Sequence, residues 1–161
     1  MSQKAVLAGG CFWGVEELFR NLPGVIETRV GYTGGHLEYP KYEDLKNGNT
    51  NHAEAIEIIF NESETSYQEI LKFFFKIHDP TTLNRQGNDI GSQYRSAIFY
   101  VDEEQKNLAQ KTIEHLNLSQ KWKNPVTTKL EKLGEFYLAE EVHQKYLLKN
   151  PGGYTCHYIR E

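Results

Sequence analysis

The chain has 161 residues and is short of several things. Each shortage excludes something. It holds two cysteines, Cys11 and Cys156, one near each end. Two are too few for a disulfide-stapled scaffold. No C-x-x-C pair occurs, and His36, His52 and His157 fit no ligand spacing with the thiols, so no metal centre and no cofactor is expected. Positive charge is not in excess: 18 Lys and Arg against 22 Asp and Glu leave −4. That argues against a nucleic-acid partner and against acidic membrane surfaces. No apolar run is long enough to span a bilayer. After Lys4 only Ala5 to Ala8 are apolar before the glycines, too few for the core of a secretory signal. The expectation is a cytoplasmic protein without membrane contact, acting as a monomer. In that compartment two distant thiols suit a transient catalytic disulfide rather than a permanent one. There is no repeat, low-complexity tract or linker, so residues 1–161 are read as one domain.

What is present suits a folded core: 39% of residues are hydrophobic and 25% charged. Ala5 to Ala8 read as a strand. Val15, Leu18, Phe19 and Leu22 form a helical stripe that Pro23-Gly24 stops. Val25 to Tyr32 is a second strand. Gly34 to Asn51 is a long polar loop with a short helix near Tyr42 to Leu45, and loops of that length are often functional. Glu54 to Phe60 reads as a strand. A helix over Tyr67 to Phe74 follows, capped by Ser66. Thr81 to Tyr94 is polar and contains glycine. Ala97 to Val101 is a strand apolar on both faces, hence central. A third helix spans Leu108 to Leu116. Val126, Thr128 and Leu130 alternate as a strand. Glu140 to Leu148 reads as a short final helix, and Asn150-Pro151-Gly152-Gly153 releases a mobile tail. The order β-α-β-β-α-β-α-β predicts an α+β fold. Helices lie on one mixed sheet with a ferredoxin-like split βαβ core, long loops and a coiled C-terminal tail.

Chemistry concentrates at Gly10-Cys11-Phe12-Trp13-Gly14. The thiol falls between a strand and a helix start, where the helix dipole and free N–H groups favour a thiolate. A buried packing cysteine is the plain alternative. Phe12 and Trp13 beside it suggest a pocket for something small and apolar. Glu54 shares a strand face with Ile56, Ile58 and Phe60. A carboxyl on that face is either at a wet strand end or raised in pKa and fit to act as an acid. Tyr42, Asp89 and Tyr94 lie in polar loops as donors or acceptors. Cys156 on a flexible tail suits a second thiol that resolves an oxidised first one. A cysteine hydrolase using His52 or His157 as base is a competing reading, and so is a binding module without turnover.

Six blocks carry a resemblance. They are G-C-F-W-G at residues 10–14, G-Y-T-G-G at 31–35 and N-H-A-E-A at 51–55. H-D-P at 78–80, R-Q-G-N-D-I-G-S-Q-Y-R-S at 85–96 and N-P-G-G-Y-T-C-H near the end complete the set. In this order the chain resembles the A-type peptide methionine sulfoxide reductases over nearly its whole length. The resemblance implies thiol-dependent reduction of methionine S-sulfoxide, free or in proteins. Cys11 would attack the sulfoxide sulfur. Glu54 would protonate its oxygen, helped by Tyr42 and Tyr94. Phe12 and Trp13 would hold the methyl group, and Asp89 would support the site by hydrogen bonding. Cys156 would close a disulfide with the oxidised Cys11, and thioredoxin would reopen it. Many relatives extend past the resolving cysteine with a glycine-rich tail, and some carry another cysteine there; these 161 residues hold none, so a second disulfide relay is not available to them.

Overall fold

Alternation in the first strand decides the layering. Ala5 and Leu7 point to one face of the sheet and join one apolar cluster, while Val6 and Ala8 point to the other and join a second. The computed structural model describes residues 1–160. In chain order it comprises β1 (Ser2–Gly9), α1 (Phe12–Arg20), β2 (Val25–Thr33), α2 (Tyr42–Asn47), β3 (Ala53–Asn61) and α3 (Tyr67–Ile77). A small hairpin of β4 (Arg85–Gln86) and β5 (Asp89–Ile90) follows, then a 3₁₀ turn at Ser92–Tyr94. The rest is β6 (Ser96–Tyr100), α4 (Glu103–Leu118), β7 (Lys129–Lys132), β8 (Tyr137–Leu138), a 3₁₀ turn at Glu141–His143 and α5 (Tyr146–Lys149).

The main sheet runs β7-β6-β1-β3-β2-β8. β1 is antiparallel to β3 and β6, β2 is antiparallel to β3 and β8, and β6 pairs β7 in parallel. The central four strands are two interlocked split βαβ units. β3 lies between β1 and β2, and β1 lies between β3 and β6. The fold is therefore the expected α+β arrangement with a ferredoxin-like core. α1, α3 and α4 bury Val15, Phe19, Ile70, Leu71, Phe74 and Ala109 against Leu7, Ile56, Ile58 and Ile98. Fully burying one such aliphatic or aromatic side chain contributes roughly 1.5–3 kcal/mol, so this layer anchors the molecule.

Local chemistry sets the boundaries. Ser66 Oγ accepts the Glu69 N–H and starts α3, and Asp102 caps α4 through the Gln105 N–H. His78 ends α3 and is fully buried. Its Nδ1–H donates to the Phe74 carbonyl at 2.7 Å, and its Nε2 accepts from the Ser96 hydroxyl at 2.8 Å. Burial lowers its pKa to about 3, so it stays neutral and ties α3 to β6.

Three expectations need correction. The alternation at Val126 and Thr128 precedes the strand: β7 starts at Lys129, because Thr127 and Thr128 spend their bonding groups on Pro80 and Ser96. Glu140 to Leu148 is not one helix. Lys145 sits in the left-handed region at φ 53° and splits it into a 3₁₀ turn and a single helical turn. The cause is tertiary. The Gln144 side chain exchanges hydrogen bonds with the backbone of Val30 at the edge of β2, and the Lys145 N–H donates to the buried Glu16 carboxylate at 2.7 Å. The tail after Gly153 has no regular structure, yet it is packed: His157 is buried and bonded to Gly9.

Candidate active site

The site forms where β1 hands over to α1. Gly10 turns the chain at φ +101°, a conformation L side chains rarely adopt, and a Cβ there would also lie 2.7 Å from Gln86. Cys11 then takes the N-cap position of α1 and is 5% exposed. The structure corrects the expectation of a ready thiolate. Burial, followed by the charge of Glu54, pushes the Cys11 thiol far above its ordinary range. The Trp13 N–H at the helix start pulls the other way and is outweighed. A helix terminus supplies only a fraction of a charge, and the desolvation of the buried thiol outweighs it.

Glu54 is 2% exposed and pairs with Tyr32 across β2 and β3. Its Oε1 accepts the Phe12 N–H at 3.1 Å, so the first helical amide beyond the thiol touches the carboxyl. Burial pushes its pKa up to about 8; the Phe12 N–H opposes this and the Asp89 charge adds to it. At neutral pH the carboxyl therefore holds its proton. Glu54 and Cys11 form a neutral pair in which ionising either one opposes ionising the other.

Tyr42 opens α2 and Tyr94 closes the 3₁₀ turn after β5. Both are half-buried. Burial and then the charge of Glu54 raise both phenols, and Cys11 and Asp89 add to the rise at each. Among the described residues neither phenol hydroxyl has a hydrogen-bond partner, so two neutral donors are free beside the acid. Asp89 is placed differently from its neighbours. Its Oδ2 accepts the Tyr154 hydroxyl at 3.2 Å and lies 3.9 Å from Cys156 Sγ, so its direct bonds go to the tail. Its own pKa is raised, chiefly by burial.

The aromatic wall is larger than the sequence indicated. Trp13 stacks on Tyr146 at 3.8 Å between ring centroids and donates its indole N–H to His143 Nδ1 at 3.0 Å. His143 in turn lies 4.3 Å from the Tyr42 ring. Burial lowers the His143 pKa, which keeps Nδ1 available as the acceptor. Glu140 accepts the Tyr32 hydroxyl at 2.7 Å and the Tyr42 N–H at 3.0 Å, fixing the start of α2. His143, Tyr146 and Glu140 had no local signal. They lie in the segment that reads as a short final helix, and tertiary contacts, among them Gln144 with Val30 and Lys145 with Glu16, bring it to the site.

Cys156 is half-buried, with Sγ 3.8 Å from the Gln86 carbonyl and 3.9 Å from His157 Nδ1. Both thiols are free. Burial and then Asp89 raise the Cys156 thiol. No histidine hydrogen-bonds the Cys11 sulfur among the described residues. His52 uses both ring nitrogens on its own loop, accepting the Gly35 N–H and bonding the Leu37 carbonyl, and His157 bonds the Gly9 carbonyl. The hydrolase reading therefore lacks its base. Among the described residues no group of three His, Cys, Asp or Glu can hold a metal ion, and no helix is long and apolar enough to cross a membrane.

A buried thiol against a protonated carboxyl, with a second free thiol on an adjacent segment, defines a thiol-based oxidoreductase. Comparison with known proteins narrows the class. The sequence model of the family described as peptide methionine sulfoxide reductase matches residues 3–161. Peptide methionine sulfoxide reductase MsrA 2 of Rhodopirellula baltica is 56% identical over 160 residues, covering 99% of this chain and 93% of that protein. Reduced Mxr1 from Saccharomyces cerevisiae superposes with a TM-score of 0.94 at 38% identity, covering 99% of this chain and 93% of that one. The same yeast protein in complex with Trx2 matches with a TM-score of 0.67 at 27% identity, covering 99% and 91%. This chain belongs to the peptide methionine sulfoxide reductase family.

Proposed function

We propose that this chain, acting as one domain and as a monomer in the cytoplasm, reduces the S epimer of methionine sulfoxide, free or in proteins. The observation that carries the reading is Glu54. Its carboxyl is 2% exposed, bonded to the amide next to Cys11 and protonated up to a pH of about 8. A sulfoxide oxygen leaves sulfur only once protonated, and an acid with its pKa near the working pH is suited to that task.

In this reading Phe12 and Trp13 take the substrate methyl group, with Trp13 held in place by His143 and Tyr146. Tyr42 and Tyr94 donate hydrogen bonds to the oxygen without adding charge that would ionise Glu54. Cys11 sulfur attacks the sulfoxide sulfur as Glu54 delivers its proton to the oxygen, and the thiol proton of Cys11 restores the carboxyl. When Glu54 is neutral its contribution to the high thiol pKa vanishes, and the Trp13 N–H offsets part of what burial still imposes. The hydroxyl then passes to the Cys11 sulfur: a Cys11 S–O bond forms as the substrate S–O bond and the transient S–S bond break, so methionine departs and Cys11 is left as a sulfenic acid. Cys156 converts that species to a disulfide. Asp89, bonded to Tyr154 and facing Cys156, supports the tail rather than the substrate oxygen. A dithiol protein of the thioredoxin type reduces the disulfide, in keeping with the solved complex of the yeast relative.

The test is turnover of the separated sulfoxide epimers with dithiothreitol. Conversion of the S epimer alone is expected. Conversion of neither epimer sinks the reading, and tight binding without conversion favours the binding-module alternative.

A further inference from the structure

The two glycines that flank Cys11 are crowded by the same ring. A Cβ on Gly10 would lie 3.1 Å from His157 Nε2, and one on Gly14 would lie 2.5 Å from His157 Nδ1 and 2.4 Å from Thr155 Oγ1. The imidazole therefore lies against the turn that carries the thiol. Its Nε2–H donates to the Gly9 carbonyl at 2.7 Å. That bond fixes the tautomer and leaves the Nδ1 lone pair facing Cys156 Sγ at 3.9 Å. The His157 N–H also donates to Thr155 Oγ1 at 3.1 Å, which shapes the backbone on the other side of Cys156.

We infer that His157 is a positioning residue for disulfide formation: it latches the tail to the carbonyl two residues before Cys11 and so holds Cys156 beside the thiol it must meet. This rests on the reading of Cys156 as the resolving thiol. His157 is buried and its pKa is lowered to about 4, so the latch stays neutral and intact at physiological pH. The second side of the cradle is Gln86. Its side-chain amide is tied to the Asp79 backbone by two 2.8 Å bonds, and its carbonyl lies 3.8 Å from Cys156 Sγ. Between them, His157 and Gln86 place the second sulfur before the first is oxidised.

The step served is balanced within the chain. Cys156 sulfur attacks the Cys11 sulfenic sulfur, an S–S bond forms and the S–O bond breaks. The thiol proton leaves with the hydroxyl as water. Cys156 sulfur is oxidised and Cys11 sulfur reduced by the same amount. Holding the two sulfurs in register removes the search, and a misplacement of about 1 Å in such a step costs on the order of 100-fold.

The experiment mixes reduced full-length protein with methionine S-sulfoxide and no reductant, then quenches at intervals. Methionine reports the first step, loss of free thiols reports the disulfide, and dimedone labelling reports the sulfenic acid. In His157→Leu the ratio of the disulfide rate to the methionine rate is expected to fall about 10- to 100-fold, with dimedone-reactive Cys11 accumulating. His157→Gln keeps an N–H donor at similar reach and should recover most of that ratio. A wild-type ratio in His157→Leu overturns the inference, and so does equal slowing of both steps, or a glutamine variant no better than leucine. Cys156→Ser, run alongside, separates the two ideas. If it recycles with thioredoxin as the wild type does, the resolving role of Cys156 fails whatever His157 does.

Discussion

Replacing Glu54 with glutamine should impair chemistry while relieving a stability penalty. The carboxyl titrates near 4.5 when exposed and near 8 in the folded protein, because the fold removes it from water. The folded pKa lies above the unfolded one. The favourable contribution is therefore complete below pH 4.5 and is lost as pH rises to about 8, at roughly tenfold in the folding equilibrium per pH unit. The accumulated loss above pH 8 is on the order of 3–5 kcal/mol. Glutamine cannot ionise, so Glu54→Gln should lose less stability than the wild type between pH 5 and pH 9. Part of its gain is offset by about 1–3 kcal/mol for a buried amide lacking a partner. Urea denaturation at several pH values reads the difference in slope. The same variant should slow methionine formation in a single turnover by about 100-fold or more, with substrate affinity little changed. Parallel stability curves for the two proteins would refute the placement of a raised carboxyl at Glu54. A loss confined to binding would refute its role as the proton donor.

Other outcomes follow from the same geometry. Cys156→Ser should release about one methionine per chain without reductant and then fail to recycle with thioredoxin, as measured by product per enzyme over time. Tyr42→Phe and Tyr94→Phe should each slow the first step by about 10-fold, and the double variant by more, in rapid-quench assays with saturating substrate. Wild-type first-step rates should fall as pH rises through about 8, where Glu54 loses its proton, and Glu54→Gln should lack that limb in a pH–rate profile. Gly14→Ala should destabilise by about 1–3 kcal/mol in urea, since the new methyl meets Thr155 and His157 at 2.4–2.5 Å.

The sequence carried the fold wherever a segment's own pattern agreed with its surroundings. The stripe from Val15 to Leu22, the alternation from Glu54 to Phe60 and the cap at Ser66 each name their element without help. Failures came where tertiary bonds overrode a local pattern. Glu140 to Leu148 has helical spacing, but Gln144 and Lys145 are claimed by Val30 and Glu16, and the helix breaks. That break brings His143 and Tyr146 to Trp13, which spacing alone does not reveal. Glu54 was legible because a carboxylate on an apolar strand face is a conflict that needs an explanation. The state of Cys11 was not, because its helix terminus is a local feature whereas its burial and the opposing charge of Glu54 come from distant parts of the chain.

In the proposed cycle Cys11 takes oxygen from sulfoxide sulfur with Glu54 as acid and passes the oxidation to Cys156. Reduced protein mixed with excess methionine S-sulfoxide and no reductant tests it directly. About one methionine per chain is expected from the S epimer, none from the R epimer, with loss of both free thiols. Release of no methionine, release from the R epimer, or product formed with both thiols retained would contradict it.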